Sequence, residues 1–551
     1  MMKAFEEFEI AGCRLKNRFV MAPMISNLAD ADGSTNEVHT AYLNERAMGG
    51  FSLIITEYSF VPSRASRGSV NQLSFARHDQ VGRFRRLSER VHSSDSRIFA
   101  QLVHAGGKAI PGTDGVVLAP SSVPYNGRIP EELNEEAMEE IRDAFVRSAK
   151  IVEMSNFDGI ELHGAHGYLL QEFMSPSLNR RDDRYGGSLE NMLRFPQEII
   201  DAIREETSIP VGIRLSLYED DPDGYPPEHG MKIAENLRNI DYVHFSSGRN
   251  APPGSSASYY SSHNHIISRI KGKLKIPVIG VGSVMTAQDV EDALKVVDLV
   301  ALGRAALSDP YFPKNLMAGR SPRPCIRCNQ ACRDLSSGQV RCTVNPFTGN
   351  ELSFPGVWVD GEVTIAGGGV SGMEAAIYLA ERGFRVTLYE GSGRLGGQLN
   401  EITDPDKQPD FSRLLDYYTE RIRELGINVI LGKTVEKQDV DLFMVPSRTY
   451  RDMDEDNEIF IDSNIYKHLD QAMKLARVSR IYMTERSLDS LDRHRKMEYR
   501  RRAMENGIVF VASPDKRFTM NSYEKRQYDI FQASSRGIWE AKAFIEYRMR
   551  G

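Results

Sequence analysis

The stretch GIELHGAHGYLLQEFMSPSLNRRDDRYGGSLENMLRF (159–195) opens with a short strand candidate, GIELHG, whose apolar residues Ile160 and Leu162 alternate with polar ones, and it then passes into a helical pattern. A short strand pattern that ends in glycine and polar residues and leads into a helix is typical of a parallel βα unit. His163, His166 and Tyr168 follow at its carboxyl end. Because barrel enzymes place their catalytic residues at the carboxyl ends of strands, the stretch predicts one strand of such a barrel together with part of its site.

The same alternation of short apolar strands and amphipathic helices continues outward, from residue 15 to about 310. Helical patterns fill most of the intervals, for example 135–155 and 189–207. Eight strands at this spacing predict an α/β protein that begins with a (β/α)8 TIM barrel. The predicted strands are 18–24, 53–58, 97–104, 159–164, 210–216, 242–248, 277–283 and 299–305.

A proline-rich boundary, 308–324, ends the barrel pattern. Four cysteines follow, and a new strand at Glu362 opens a second βαβ unit. We therefore predict three domains: a barrel over 1–320, a cysteine segment over 321–356 and a Rossmann-like domain over 357–551.

Composition narrows the function classes. The 551 residues carry a net charge of −7, with 41% hydrophobic and 26% charged residues, which is ordinary for a globular protein without a nucleic-acid surface. The N-terminal MMKAFEEFEIAG lacks the apolar core of a secretory signal. The sequence contains no run of about 18 apolar residues, so we predict no membrane span. We expect a cytoplasmic homo-oligomer with no nucleic-acid or membrane partner.

The quoted stretch resembles the signature of the old yellow enzyme family. The chain as a whole resembles its multi-domain branch, which includes 2,4-dienoyl-CoA reductases, 2-enoate reductases and trimethylamine dehydrogenase. The resemblance is strong from residue 1 to about 435. It implies a flavin-dependent oxidoreductase with FMN in the barrel, an iron–sulfur cluster and a second domain of the FAD type.

The histidines and tyrosine carry the implied chemistry. By the resemblance, His163 and His166 hydrogen-bond a substrate carbonyl or carboxylate oxygen, so that the adjacent C=C accepts hydride from reduced FMN. Tyr168 resembles the family's proton donor to the α-carbon. The competing interpretations are a pair of metal ligands or of satisfied core histidines.

The resemblance also implies the FMN contacts. Arg214 matches the cation near N1 of the flavin, and Gln101 matches the amide at its pyrimidine edge. Glu57 stands where relatives carry a small residue, so a carboxylate there would oppose flavin reduction or contact a cationic substrate. Backbone of Ala22, Pro23 and Met24 should line the ring, and the phosphate should bind near Gly282, Ser283, Gly303 and Arg304.

The cysteine segment reads CIRCNQACRDLSSGQVRC, a C-x2-C-x3-C-x9-C spacing. Three close cysteines and a fourth can hold one [4Fe–4S] cluster, whereas zinc more often takes two distant CxxC pairs. Zinc or free thiols are the alternatives. The cluster would relay single electrons between FMN and the second domain, and its predicted ligands are Cys325, Cys328, Cys332 and Cys342.

The second domain opens with EVTIAGGGVSGMEAAIYLAERGFRVTLYEGSGRLGGQL (362–399). A strand, a GxGxxG turn, a helix and a second strand ending in Glu390 are typical of dinucleotide binding, with the acid on a ribose hydroxyl. The resemblance implies FAD. The predicted contacts are Gly367, Gly369, Gly372, Met373, Glu390, Arg394, Gly397, Gln398 and Val435.

The remainder departs from the family. Segment 458–487 matches its NAD-binding βαβ unit, but Asp462, Asn464 and Lys467 replace the glycines. The family's late GD motif aligns with Phe531 and Gln532. We therefore predict that this NAD site is lost and that the domain holds FAD, only an ADP moiety, or nothing, as a structural remnant.

Three functions are open from the sequence. The first is reduction of an activated C=C in a small-molecule substrate. The second is a dehydrogenase that passes electrons from an amine or other substrate, through FMN and the cluster, to a protein partner. The third is a catalytically inactive electron-transfer protein. Loops 217–230 and 249–265 should shape the substrate pocket.

Overall fold

The protein is described by a computed structural model in which the chain forms two compact units. The first comprises Met1–Pro322 and Leu335–Val340, and the second comprises Arg323–Asp334 and Arg341–Gly551. The described residues are 2–111, 115–125, 127–219, 221–249, 265–333, 335, 338–354, 356–445, 458–463, 466–491, 493–511, 520–522 and 530–550.

All eight predicted barrel strands are present and parallel to their neighbours. They are β1 (Phe19–Met21), β2 (Leu53–Ile55), β3 (Arg97–Val103), β4 (Gly159–Gly164), β5 (Val211–Ser216), β6 (Tyr242–Ser246), β7 (Val278–Val281) and β8 (Leu299–Leu302). Strand β1 pairs with both β2 and β8, and β2 pairs with β3, so the ring is closed. The predicted TIM barrel is confirmed.

Helices follow the strands, and side-chain caps define several of their starts. Asn134 accepts a hydrogen bond from Ala137 N–H and Ser188 from Asn191 N–H, at the two helices that the sequence pattern had placed at 135–155 and 189–207. The helices are α1 (Glu37–Met48), α2 (Val81–His92), α3 (Glu135–Met154), α4 (Leu169–Met174), α5 (Leu189–Glu206), α6 (Pro227–Asn236), α7 (Ala287–Ala293), α8 (Arg304–Ser308) and α9 (Phe312–Met317).

The barrel interior is filled by large side chains that lie opposite glycines. A Cβ at Gly159 would lie 2.7 Å from the ring of Phe99, and one at Gly212 would lie 2.2 Å from the ring of Tyr242. Short strands Phe8–Ile10 and Cys13–Leu15 form an antiparallel hairpin that adds Ile10 and Leu15 to the same core. Other short strands are Ser59–Phe60, Leu118–Ala119 and Glu131–Glu132.

The second unit contains a parallel sheet of the Rossmann type. Its strands are β9 (Gly361–Ala366), β10 (Phe384–Glu390), β11 (Asn428–Leu431) and β12 (Leu442–Phe443), in the order β11–β10–β9–β12. Helices α10 (Val370–Ala380) and α11 (Gln408–Glu424) accompany it. The predicted strand at 440–447 is confirmed only in part, as β12, and its last two residues lie outside the described ranges.

A second parallel sheet follows, with a core of its own. Its strands are β13 (Glu458–Ser463), β14 (Arg480–Thr484), β15 (Val509–Val511) and β16 (Met520–Ser522), and its helices are α12 (Tyr466–Leu475) and α13 (Arg493–Glu505). The predicted βαβ arrangement of 458–487 is confirmed. The chain then returns to α10 through α14 (Ile530–Arg550), where a Cβ at Gly537 would lie 2.2 Å from the Ser371 carbonyl oxygen. Among the described residues, no helix has the length and apolar character needed to cross a membrane.

Replacement of Phe99 by alanine should leave a cavity inside the barrel, because Phe99 is fully buried against Tyr242 at a ring-centroid distance of 5.8 Å. We expect the free energy of unfolding of the barrel to fall by about 3–5 kcal/mol. Urea unfolding followed by circular dichroism measures the change. Met317→Ala, at a side chain that is 66% exposed, is the control and should change little; equal stabilities for the two variants would contradict the packing described here.

Candidate active site

The end of β4 forms a turn that brings two histidines and a tyrosine together. The ring centroid of His163 lies 5.2 Å from that of His166 and 4.9 Å from that of Tyr168. His166 has a left-handed backbone, with φ 59°, and Gly167 follows with φ 71°. The Gly167 N–H donates to Gln171 Oε1 at 2.6 Å, which holds the turn. The structure therefore groups the three predicted catalytic residues.

Strand register places charged groups beside His163. Arg214 on β5 is its direct neighbour, and His244 on β6 is the direct neighbour of Arg214. Burial, Arg214, His244 and Lys108 together hold the pKa of His163 well below its usual range. The imidazole is therefore neutral near pH 7, and its buried Nδ1 has no hydrogen-bond partner among the residues that the structure describes.

Arg214 is a buried cation with weak hydrogen bonds. Its guanidinium lies 3.4 Å from the Pro23 carbonyl oxygen and 3.4 Å from the Ser246 hydroxyl, while its Nε has no hydrogen-bond partner in the described part of the chain. Burial lowers the pKa of Arg214 to about 10. A group of this kind can still donate a hydrogen bond to an electron-rich ligand atom, because its donors are incompletely used.

A buried polar network fixes Gln101 one layer below. Glu161 accepts a hydrogen bond from Gln101 Nε2 at 2.7 Å and from the Tyr242 hydroxyl at 3.2 Å, and it lies 3.0 Å from His244 Nδ1. Gln101 and Glu161 are direct neighbours across β3 and β4. The amide predicted to meet a flavin is therefore held in one orientation.

The residues predicted to bind phosphate come together at the ends of β7 and β8. Arg304 donates to the Ser283 hydroxyl at 3.0 Å. Gly282 has φ 89°, a backbone that favours glycine. A Cβ at Gly303 would lie 3.1 Å from Met24 Sδ and 3.9 Å from Ala22 Cβ, so the loop predicted to line the flavin packs directly on this region.

Lys108 belongs to this site but was not predicted from the sequence. Its Nζ donates to the carbonyl oxygens of His166 and Arg249 at 2.7 and 2.6 Å. It also lies 5.5 Å from the ring centroid of Tyr168. The run HAGGK after β3 was the available signal. Most of the predicted pocket loop 249–265 lies outside the described residues.

The four clustered cysteines lie in the second unit and close to one another. Burial, followed by the thiols of Cys325, Cys332 and Cys328, raises the pKa of Cys342. Cys328 Sγ donates to Thr343 Oγ1 at 3.1 Å. Among the described residues, no group of three or more His, Cys, Asp or Glu side chains has an arrangement that could hold a metal ion. The iron–sulfur cluster therefore stays a prediction.

Two buried arginines fix this segment to the Rossmann sheet. Arg323 pairs with Glu374 on α10 and donates to the Val344 carbonyl oxygen at 2.6 Å. Arg327, which has a left-handed backbone with φ 49°, pairs with Asp410 on α11 at 2.7 Å, while its N–H donates to Cys325 Sγ at 3.3 Å. The thiols are thus held by buried ion pairs rather than by a regular element.

The glycine-rich turn of the second unit has the close packing that its motif predicts. A Cβ at Gly372 would lie 1.7 Å from the Gly367 carbonyl oxygen, so only glycine lets α10 begin so near to β9. Glu390 accepts a hydrogen bond from Gly368 N–H at 2.7 Å. Gly397 lies beside Gly369.

The other predicted contacts differ in accessibility. Arg394 and Gln398 are exposed, and Val435 is half-buried. Met373 is fully buried, and its N–H donates a hydrogen bond to the Gly369 carbonyl oxygen.

A model of the NADH:flavin oxidoreductase / NADH oxidase family matches residues 3–322. The chain belongs to this family. A model of the NAD(P)-binding Rossmann-like domain matches residues 365–424, which include the glycine-rich turn. This protein is therefore an oxidoreductase with a flavin-type barrel and a dinucleotide-binding domain.

Similar proteins share most of this arrangement. The chain is 37% identical over 461 residues to an NADH oxidase from Thermoanaerobacter brockii, which covers 79% of this chain and 70% of that protein. It is 32% identical over 484 residues to a cinnamate reductase from Clostridium sporogenes, with 80% and 72% covered.

Two solved structures show the same fold over nearly the whole chain. A 2-naphthoyl-CoA reductase in complex with 2-naphthoyl-CoA superposes with a TM-score of 0.87 at 21% identity, covering 98% of this chain and 99% of that one. Histamine dehydrogenase from Rhizobium sp. 4-9 superposes with a TM-score of 0.83 at 21% identity, covering 98% and 96%.

In this family member, Tyr58 rather than Glu57 contacts the cluster of His163, His166 and Tyr168. The ring of Tyr58 stacks on that of Tyr168 at 5.2 Å and lies 6.1 Å from His163. The carboxylate of Glu57 instead accepts a hydrogen bond from the backbone N–H of Ser26, in the loop after β1. The sequence had pointed to the neighbouring position because both residues end the same predicted strand.

The protonation of Glu57 should make stability depend on pH. Burial raises the pKa of Glu57 from 4.5 to about 7, so the folded chain holds this proton more tightly than the unfolded chain. The resulting stabilisation is complete below pH 4.5 and is lost as the pH rises through 7. A pKa difference of about 2.5 corresponds to about 3 kcal/mol at most.

Glu57→Gln should therefore gain stability relative to the unsubstituted protein as the pH rises from 5 to 8, because the amide has no proton to lose. Thermal unfolding at several pH values measures the difference. Glu89→Gln, at an exposed position on α2, is the matched control and should give a constant offset. Parallel pH profiles for Glu57→Gln and the unsubstituted protein would contradict the burial argument.

Proposed function

We propose that this chain is an FMN-dependent oxidoreductase that reduces a C=C conjugated to a carbonyl or carboxylate. The observation that carries the proposal is the cluster of His163, His166 and Tyr168 at the end of β4, next to the buried cation Arg214. The similarity to a cinnamate reductase supports an α,β-unsaturated acid or a related compound as the substrate class.

The barrel residues fit FMN. Arg214, whose Nε has no partner among the described residues, would bind the electron-rich pyrimidine edge of the flavin, and the Gln101 amide is held in place by Glu161. Backbone of Ala22, Pro23 and Met24 would line the ring, and Ser283 with Arg304 would meet the phosphate near Gly282 and Gly303. When bound, FMN supplies the hydride that the β-carbon of the substrate accepts.

The side chains of the cluster divide the remaining work. His163 is neutral, so it can donate a hydrogen bond to the substrate oxygen without acting as a strong acid. The Ser246 hydroxyl, 2.7 Å from His166 Nε2, orients the second imidazole for the same oxygen. Tyr168 then gives its hydroxyl proton to the α-carbon.

The four cysteines fit an iron–sulfur cluster in donor type and in their spacing along the chain, and buried ion pairs support the segment that carries them. Cys325, Cys328, Cys332 and Cys342 would hold it, and a [4Fe–4S] cluster would supply single-electron transfer. Its role in this chain is a relay between the flavin and the second unit.

The second unit would bind FAD or an ADP moiety at the Gly367–Gly372 turn, with Glu390 on a ribose hydroxyl. In the segment that resembles an NAD site, side chains contact one another where the family has glycines. Lys467 Nζ pairs with Glu401 at 3.4 Å, and the Ser463 hydroxyl lies 2.7 Å from His468 Nδ1. These contacts support the loss of that NAD site; Asn464 lies outside the described residues. Phe531 and Gln532, which replace the family's GD motif, lie in the first turn of α14.

The expected loss of the NAD site favours a second candidate function, that of a dehydrogenase. If NADH does not reach the flavin, the enzyme would run as a dehydrogenase that delivers electrons from a small-molecule substrate to a protein partner. The two candidates differ in their source of electrons, which can be measured directly.

If the chain is a reductase, anaerobic titration with NADH should bleach the flavin absorbance. Because the NAD site of the second unit is expected to be lost, the hydride would reach FMN directly in the barrel. NADPH is titrated in parallel to identify the preferred donor, and dithionite gives the fully reduced reference. Reduction by dithionite with no bleaching by either nucleotide would favour the dehydrogenase.

His163→Ala should lower the rate of cyclohex-2-enone reduction by about 100-fold or more, because a preorganised donor to the substrate oxygen is removed. Its flavin content and its reduction by NADH should be unchanged. His78→Ala, an exposed histidine outside the cluster, is the matched control. An unchanged rate in His163→Ala would contradict the proposal.

Cys328→Ala should lower the iron and acid-labile sulfide of anaerobically purified protein from about four of each per chain. Cys13→Ala, the cysteine of the barrel hairpin, should keep the full content and is the control. One zinc per chain, or no metal in either protein, would contradict the cluster.

A further inference from the structure

Helix α14 carries apolar side chains on two opposite faces. Its inner face, which includes Ile538 and Ile545, is buried where the helix packs on α10. Its outer face carries Trp539, Ala543 and Tyr547, which are spaced four residues apart and so follow one side of the helix. Trp539 is 44% exposed and Tyr547 is 76% exposed. The outer face therefore lacks the polar character that a helix face in contact with water normally has.

Exposed apolar surface continues from α14 onto the segment before β9. The ring of Trp539 lies 4.7 Å from that of Phe354, and the ring of Phe354 lies 6.1 Å from that of Tyr378 on α10. Leu352, two residues before Phe354, is 57% exposed. Buried aromatic rings thus support the exposed ones from below.

Trp358 lies at the other end of the same surface. It is 76% exposed, and a Cβ at Gly383 would lie 2.6 Å from its indole ring. The residue after this glycine, Phe384, contacts Phe544 of α14 at a ring-centroid distance of 5.9 Å. Trp358 and α14 therefore border one continuous surface. We name this surface the aromatic face, and it consists of Leu352, Trp358, Trp539, Ala543, Tyr547 and Met549.

The area of the aromatic face is close to what one side of a stable protein interface needs. Apart from the alanine, its side chains are between 44% and 76% exposed. Since a large side chain has roughly 200 Å² of surface, they expose about 600 Å² together. A standard interface buries about 800 Å² per partner, and only part of that area is apolar. The aromatic face could therefore form the centre of such an interface.

The charges around the aromatic face favour a second copy of this chain as its partner. Both signs occur as neighbouring pairs: Lys542 with Glu546 at 2.9 Å, and Arg385 with Asp360 at 3.5 Å and with Glu362 at 3.3 Å. A rim of one sign would repel its own copy and would select a partner of opposite charge. A rim of mixed sign can instead pair with itself across a two-fold axis.

We propose that the chain forms a two-fold symmetric dimer through the aromatic face, with α14 antiparallel to α14 of the second copy. Ala543 lies near the axis, where its small side chain lets the two helices approach closely. Trp539 and Tyr547 are four residues to either side of Ala543, so antiparallel packing brings Trp539 of each copy against Tyr547 of the other. Such a contact is closed at two copies.

The proposed contact lies at the edge of the sheet opposite to the glycine-rich turn. Trp358 and Gly383 precede β9 and β10, at the amino ends of these parallel strands, whereas Gly367 follows the carboxyl end of β9. A dimer formed in this way leaves the candidate dinucleotide site uncovered. The inference is therefore independent of the proposed function.

Sedimentation velocity of the flavin-loaded protein should give twice the chain mass of 62.0 kDa at about 10 µM, and dilution should dissociate the dimer by mass action. Ala543→Glu and Tyr547→Glu should each raise the dissociation constant by about 100-fold or more, because the contact would bury unpaired carboxylates. Val478→Glu is the matched control and should leave the constant unchanged, since Val478 is 74% exposed in the turn after α12.

All three substitutions are at residues exposed on the single chain, so the variants should fold. Their flavin content and thermal unfolding check this.

Tryptophan emission gives a second measurement. Trp358 and Trp539 are the only two tryptophans of the chain, and both belong to the aromatic face. Dilution should therefore shift the emission maximum to longer wavelength with the same midpoint as the loss of dimer in sedimentation. Ala543→Glu should show the longer wavelength at each concentration.

Three results would overturn the proposal. The first is a monomer at each concentration, which would leave the aromatic face to another partner. The second is a dimer that persists unchanged in both Ala543→Glu and Tyr547→Glu, because it would use another surface. The third is an emission maximum that stays constant while the dimer dissociates.

Discussion

Eight parallel strands can close into a ring only when each lies between two neighbours, and closure brings all their carboxyl ends to one rim. The register of that ring decides which side chains meet. His163, Arg214 and His244 are consecutive neighbours across β4, β5 and β6. A slip of one residue would turn Arg214 to the opposite face of its strand. The chemistry of the rim thus depends on pairings made by the apolar residues of the barrel.

Buried charge at the rim is balanced in a particular way. Glu161 lies deeper than His163 on the same face of β4 and is engaged by Gln101, Tyr242 and His244. Arg214 above it has weaker partners and an unused Nε. The protein thus satisfies the acid and leaves the cation incompletely satisfied. Such an arrangement favours an electron-rich ligand over a positively charged one in the space above Arg214.

The barrel could be predicted well because its information is local. Most strands are short apolar runs, and the string at the end of β4 holds three site residues within six positions. Tyr58 and Lys108 escaped prediction because their importance comes from contacts with Tyr168, more than fifty residues away in the sequence. For Glu57, alternation along a strand end decides which neighbour faces inward, and β2 is too short to fix that phase by pattern.

The second unit could be predicted only in part, because some of its contacts join residues that are far apart in the sequence. The spacing of glycines around Gly372 predicted a close helix–strand approach, because only glycine fits there. The support of the cysteine segment could not be predicted, since it depends on Arg323 and Arg327 reaching Glu374 and Asp410 on distant helices. Nothing in the spacing of the cysteines indicates these ion pairs.

The chain passes between its two compact units three times, after residues 322, 334 and 340. The six-residue return, Leu335–Val340, is tied to the barrel by a 2.8 Å hydrogen bond from Val340 N–H to the Ser26 carbonyl oxygen. The two units are therefore not modules that a single recombination point could exchange. Each unit consists of two separate segments of the sequence, so an exchange of either unit would have to transfer both of its segments together.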